Sequence, residues 1–440
     1  MTINIDWLDL TSAVPSQIEA TTRRSALPDR NLRLTAATIV ANIAERGDAA
    51  LDEYAARFGG SLADASILVS ENALTSGLNS LETDLGDALD AAIWNVRSCH
   101  RPQVPRASTT IQGTGTTVER VWTPIERVGV YVPGGRATYP SSLIMGVVPA
   151  LVAGVREICV ATPARPDGTV DPVVLGTAAK LGVTEVYAMG GAQAIGALAY
   201  GTDTVKRVDK IVGPGGPWVT AAKLAVYGDC GVDLPAGPSE AAIVADASAN
   251  PAITAADVMC QAEHGEESSV ILITASPEIA EAVVGEIERQ LPGLERSDII
   301  TKALENHGRI VITESTAAAL EYANRWAPEH LSVHTENSRS DAGVVPNAGS
   351  VFVGEWTPEA AGDYATGANH VLPTGGLARA YGPLSVDDFG SWRQIQTMTY
   401  EGLESLADTI TILAEAEGLT AHANSVTVRL SEGREKGISQ

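Results

Sequence analysis

The chain has 440 residues, 45% of them hydrophobic and 19% charged, an ordinary globular composition with enough length to bury a sizeable core. At roughly 150 residues per domain, this length predicts about three domains. The formal net charge of -24 argues against general binding to nucleic acid or an anionic membrane surface, which carry the same sign, and is compatible with a cationic small substrate.

The first ten residues hold Asp6 and Asp9 and no basic residue, so they lack the charged start of a signal peptide. Residues 34–58 and 71–100 carry apolar residues at helical spacing with charges between them, and read as helices. The pattern then changes to short β-rich runs alternating with helical segments. Strands are predicted over 127–133, 157–162, 185–189 and 209–212, and helices over 141–155, 172–181 and 193–200. The apolar run 143–155 is broken by Gly146, Pro149 and Gly154. It is too short to span a bilayer, which takes about 20 residues. Beyond Pro238 the alternation resumes, with strands over 241–245, 269–274, 309–313 and 350–354 and helices over 253–264, 277–291 and 315–326. Alternation of this kind calls for parallel sheets covered on both faces, so two α/β units are expected, divided near Pro238. The tail from Val386 reads as helical, with residues 431–440 frayed. Cys99, Cys159, Cys230 and Cys260 form no C-x-x-C pair and read as four buried, reduced thiols in a cytoplasmic protein.

Three glycine-rich turns follow predicted strands: Tyr131-Val-Pro-Gly-Gly135, Gly190-Gly-Ala-Gln-Ala-Ile-Gly196 and Gly213-Pro-Gly-Gly216. Such turns at the carboxyl ends of parallel strands let a ligand approach the backbone. None matches G-x-G-x-x-G or a P-loop, and each alone is also explained as a tight structural turn. Gln261 and His264 stand three apart on a predicted helix, hence on one face, with Gly265 as its stop. Alone, such a pair is more often a polar helix end than a site. Asp363 lies in a glycine-rich stretch and His422 near the C-terminus; imidazole and carboxylate are zinc donors, whereas glutamine is an uncommon one. Pro328 should end the preceding helix at Trp326-Ala327, placing Glu329-His330 on a loop. A carboxylate beside an imidazole suits acid–base work, although an exposed helix end would look the same. His100, His307 and His334 show no chemical pattern and read as surface or packing residues.

Several of these motifs, in one order, resemble the histidinol dehydrogenase family. They are Arg127-Val-Gly-Val-Tyr-Val-Pro-Gly-Gly135, Gly190-Gly-Ala-Gln193, Val208-Asp-Lys-Ile-Val-Gly-Pro-Gly215 and Pro235-Ala-Gly-Pro-Ser-Glu240. Gln261-Ala-Glu-His-Gly265, Pro328-Glu-His-Leu331, Ala361-Gly-Asp-Tyr364 and the stretch from Asn369-His370 to Thr374 complete the set. The resemblance runs from about residue 30 to residue 430. It implies an NAD-dependent, zinc-dependent oxidation of L-histidinol through L-histidinal to L-histidine, within histidine biosynthesis. It implies Gln261, His264, Asp363 and His422 as zinc ligands, and Glu329 and His330 as the catalytic pair. Substrate contacts are implied for Ser239, His370 and Glu417 beside the ligands and His330, and cofactor contacts for Tyr131, Gln193 and position 216. It further implies a homodimer in which Glu417 and His422 reach the partner's site. In this chain Gly216 stands where the family usually has asparagine, which removes one cofactor contact.

The expected fold is α/β, with two Rossmann-like parallel-sheet units between helical N-terminal and C-terminal segments. The expected division is an arm (1–24), a discontinuous domain (25–128 with 239–376) carrying zinc and catalytic residues, a cofactor-side domain (129–238) and a helical dimerisation segment (377–440). Gly216 leaves room for a related dehydrogenase of another small alcohol, such as a sulfonated diol. A zinc-binding protein without catalysis is the third reading, against which Glu329 and His330 stand.

Overall fold

The computed structural model describes residues 3–60, 66–111, 115–134 and 138–435. Gly135, the last residue of one predicted turn, and the end of the tail beyond Glu435 lie outside them. In chain order the strands are β1 (Asp6–Asp9), β2 (Ser108–Ile111), β3 (Thr116–Pro124), β4 (Arg127–Tyr131) and β5 (Glu157–Thr162). There follow β6 (Glu185–Ala188), β7 (Lys210–Val212), β8 (Gly231–Val232), β9 (Glu240–Ala245) and β10 (Ser269–Thr274). The last are β11 (Gly308–Ile312), β12 (His330–His334), β13 (Ser350–Val353) and β14 (Gly390–Met398).

The chain divides into two compact units: residues 1–103 with 125–389, and residues 104–124 with 390–440. The larger holds two all-parallel sheets, ordered β6-β5-β4-β7-β8 and β1-β11-β10-β9-β12-β13. Every residue of β4, β9 and β12 is buried. That is the pattern of central strands covered on both faces, and it explains why most of them read as apolar runs. Both sheets reverse strand order once, between β4 and β7 and between β9 and β12. In open α/β sheets such a reversal opens a crevice at the strand ends. Among the described residues no helix is long and apolar enough to cross a membrane.

The smaller unit departs from the expected all-helical tail. β14 pairs antiparallel with β3, and β3 with β2, before the helices Tyr400–Ala416 and Thr420–Glu435. The strand was hidden because β14 is mostly exposed and its partner lies far away in sequence. The second helix continues through Glu435, into the segment expected to fray. Among the other elements that were not predicted are two strands of the six-stranded sheet. β1 takes its place only by pairing with β11, and β12 intersperses buried polar residues (His330, Ser332, His334) with two apolar ones. All four cysteines are free, but only Cys159 and Cys230 are buried; Cys99 is exposed and Cys260 half-buried.

Candidate active site

At the carboxyl edge of the β4–β7 crevice, the glycine turns come together. Gly213 has φ +111°, and a Cβ there would stand 2.1 Å from the Tyr131 carbonyl oxygen, so only glycine fits. Tyr131 is buried, and its hydroxyl accepts the Gly191 N–H at 3.1 Å. Gln193 lies buried in the first turn of the helix Gly191–Tyr200. Gly216 caps the helix Pro217–Val226, and a Cβ at that position would meet nothing within 4 Å, so the turn has room for a side chain the sequence omits. Beneath the turn, Lys223 Nζ donates to the Gly213 carbonyl at 2.5 Å and pairs with Asp233, whose other oxygen accepts the Gly213 N–H at 2.6 Å.

Three of the four predicted ligands, Gln261, His264 and Asp363, and the acid–base pair lie at the opposite kind of edge, near the amino ends of β9, β10 and β12. The helix Pro251–Ala262 delivers Gln261 on its last turn; His264 follows just past the helix end, its N–H bonded to the Gln261 carbonyl at 3.3 Å. The helix thus stops before the expected Gly265. The sequence placed Glu329 and His330 together on a loop at an element end; Glu329 lies in that connection, and His330 already begins β12. The helix Thr316–Trp326 ends at Ala327, which takes φ 53°, and Pro328 turns the chain directly into β12, with His330 as its first residue. A non-glycine residue in the left-handed region costs about 1–2 kcal/mol, so the connection is strained just before the acid–base pair. Glu329 and His330 are both buried.

The surroundings decide their protonation. Glu329 accepts the Glu240 N–H at 2.9 Å, and burial pushes its carboxyl well above the usual range, aided by the Glu240 and Asp363 carboxylates. Glu240 is itself held by Arg24, by the Gly375 N–H at 3.0 Å, and through Arg24 by Trp326, over whose ring the guanidinium sits at 3.5 Å. Burial lowers His330 to about 3, with His264 and His370 adding to the effect, so the imidazole is neutral near pH 7, with one ring nitrogen free to accept, and is a weaker base than free imidazole. Its Nδ1 stands 3.0 Å from Gln261 Oε1 and 3.7 Å from Glu359 Oε1.

Asp363 and Glu359 come from the helix Glu359–Tyr364. Asp363 lies 3.8 Å from His264 Nε2 and 3.8 Å from His370 Nδ1, which also faces the Asp363 carbonyl at 3.0 Å. His264, Glu359 and Asp363 each offer a ligand atom within 4.8 Å of the others. Glu359 was missed by the sequence reading; the available signal was its place one helical turn before Asp363. His370 also meets Ser142 at 3.5 Å, on the helix Pro140–Ala153 that follows β4, so this stretch ties one sheet to the other. Ser239 immediately precedes β9, and its carbonyl accepts the Ser269 N–H at 3.1 Å. Glu417 and His422 belong to the smaller unit: Glu417 ends the helix Tyr400–Ala416, and His422 is exposed on the helix Thr420–Glu435. His334, read as a surface or packing residue, is buried against Asp257 at 3.2 Å and Thr254 at 3.0 Å.

A metal fits this cluster. A buried carboxylate oxygen, Glu359 Oε1, has no hydrogen-bond partner, which is costly in a dry interior. Nitrogen and carboxylate oxygen donors gathered in this way suit zinc. With an acid–base pair buried beside metal donors, the fold and site define an α/β enzyme.

A family model described as histidinol dehydrogenase matches residues 22–430. A histidinol dehydrogenase of Methanosarcina barkeri is 43% identical over 408 residues, 92% of this chain and 93% of that protein. One from Xanthomonas campestris is 42% identical over 428 residues, 97% of this chain and 98% of that protein. The crystal structure of histidinol dehydrogenase from Elizabethkingia anophelis superposes with a TM-score of 0.92 at 35% identity, covering 98% of this chain and 99% of that one. The chain belongs to the histidinol dehydrogenase family.

Proposed function

We propose that the chain oxidises L-histidinol to L-histidine through L-histidinal, with two NAD and one water consumed per turnover. The observation that carries this reading is the neutral, buried His330 beside Glu329, within the same cluster as Gln261, His264, Asp363 and His370. In the first half-reaction His330 takes the hydroxyl proton as hydride leaves the carbinol carbon. In the second, Glu329 takes a proton from water as it adds to the aldehyde, and the hydrate gives up a second hydride. A raised carboxyl, once ionised, is a stronger base than an ordinary glutamate. Burial of both residues keeps bulk water from the aldehyde between the two steps.

Gln261, His264 and Asp363 would hold zinc, together with His422 of the partner subunit. Zinc, when bound, supplies an anchor for the imidazole and amine of the substrate. Ser239, His370 and the partner's Glu417 would complete the substrate contacts. The cofactor would lie in the β4–β7 crevice against the turns bearing Tyr131, Gln193 and Gly216, and NAD, when bound, supplies the hydride acceptor. A shared site is supported by the smaller unit, where the apolar side chains Ile412, Leu413 and Val428 are exposed.

A coupled assay with NAD and L-histidinol, run beside a panel of small diols including sulfonated ones, tests the reading; preference for a diol would reassign the substrate. Dialysis against a chelator should abolish oxidation and leave the circular dichroism largely intact, because the donors are scattered over separate elements rather than forming one structural knuckle. Full activity in metal-free protein would remove zinc from the reading. Subunit exchange between the inactive variants His422→Ala and His330→Ala should restore part of the activity, since one site of a mixed dimer receives both intact residues. Verified heterodimers that stay inactive, against a wild-type exchange control, would place His422 in the site of its own chain.

A further inference from the structure

We propose that Arg24 is a positioning residue for Glu329, fixing the connection that carries it between the helix Thr316–Trp326 and β12. This inference rests on the reading of Glu329 as the group that activates water.

Glu329 stands in a short connection with a backbone cost. Ala327 takes φ 53° at its start, a conformation that L side chains rarely adopt. Such a turn persists only where its surroundings hold it. Arg24 supplies that hold. Its Nη2 donates to the carbonyls of Trp326 and Ala327, the latter at 3.3 Å, and its guanidinium lies 3.5 Å from the centre of the Trp326 ring. Its Nη1 donates to the Glu240 side chain. The backbone N–H of that same Glu240 donates to Glu329 Oε2 at 2.9 Å. These contacts close a ring. Arg24 reaches the Glu329 backbone from one side, through residues 326 and 327, and the Glu329 carboxyl from the other, through residue 240. One planar fork spans both sides, which a single point charge does not.

Arg24 is itself held in place from several directions. β1 pairs with β11, and the helix Pro15–Thr22 packs on the helix Thr316–Trp326, where Tyr322 Oη donates to Thr21 Oγ1 at 3.2 Å. Just beyond Arg24 the chain runs against Gly375, φ +63°, where a Cβ would stand 2.3 Å from the Ala26 nitrogen. The Gly375 N–H in turn bonds the other oxygen of Glu240 at 3.0 Å. His330 depends on Arg24 less than Glu329 does. It begins β12 and is paired in the sheet with Ala241 of β9 and Ser350 of β13. Loss of Arg24 should therefore disturb the aldehyde step, assigned to Glu329, more than the alcohol step, assigned to His330.

The competing role for Arg24 is that of a counter-charge to the buried Glu240, and a double variant separates the two. In zinc-loaded Arg24→Met with Glu240→Gln no charge is left unpaired, while the carbonyls of Trp326 and Ala327 have still lost their donor. Single-turnover oxidation of L-histidinal should slow about 10- to 100-fold, the range expected when a reacting group is displaced by about 1 Å and not removed, with the alcohol step nearly unchanged. Amide exchange over residues 326–331, read by mass spectrometry without substrate, should quicken, with β10 and β11 as in the wild type. Arg24→Lys keeps the counter-charge and so covers a double variant that fails to fold. It should show the same split, because one ammonium does not replace the fork. Wild-type rates in the double variant would reduce Arg24 to a counter-charge and overturn the proposal. So would equal losses in both steps, or exchange that is unchanged over 326–331 or raised throughout β10 and β11. The exchange measurement needs no turnover, so a wild-type protein that failed to oxidise L-histidinol would refute the proposed substrate and leave the exchange result standing.

Discussion

Replacing His330 with alanine should slow oxidation of L-histidinol by about 100- to 10,000-fold, the range expected when a general base is removed. The effect should fall on the alcohol step. His330 is buried and neutral, with a ring nitrogen free to accept the hydroxyl proton. Glu329→Gln should do the reverse, sparing the alcohol step and impairing the aldehyde step, where water must be activated. The amide can still face the Glu240 N–H through its oxygen, so the packing around position 329 should survive. Single-turnover measurements with L-histidinol and with L-histidinal supplied directly separate the half-reactions. Equal losses of both steps in both variants would show that the two residues act as one unit, not in sequence.

Replacing Lys223 with methionine should destabilise the larger unit by about 3–5 kcal/mol, because it leaves the buried Asp233 carboxylate without its counter-charge. The side chains of Lys223 and Asp233 are 5% and 4% exposed. Burial pushes the Asp233 carboxyl up, and Lys223, with the Gly213 N–H, opposes that shift. Removing both charges, as in Lys223→Met with Asp233→Asn, should recover much of the loss, since the cost lies in the unpaired ion and not in the missing attraction. Equilibrium urea unfolding of the wild type, the single variant and the double variant reads the difference. A double variant no more stable than Lys223→Met would show that the pair does not carry this energy. Because Lys223 and Asp233 also bond the carbonyl and N–H of Gly213, the same variants should loosen the turn that faces the proposed cofactor crevice.

Much of the larger unit was legible in the sequence. β5 and β10 were delimited to the residue, and most other parallel strands to within one or two, because strands buried on both faces must be apolar along their whole length. One helix end followed from local chemistry, at Trp326-Ala327 before Pro328. The residue types of the site could also be read locally, since a carboxylate beside an imidazole, or two donors a turn apart, are sequence-adjacent facts. The rest was decided by contacts between distant segments. β1 exists through its pairing with β11, and β14 through its pairing with β3, neither of which leaves a mark in its own residues. Glu359 looked like one more acidic residue at a helix start until the fold buried it beside His330, Asp363 and His264. Its significance is a matter of distance and desolvation. Local sequence specifies which groups a segment carries, whereas the packing of β9, β12 and the helices at their amino ends decides which of those groups lose water and which find each other.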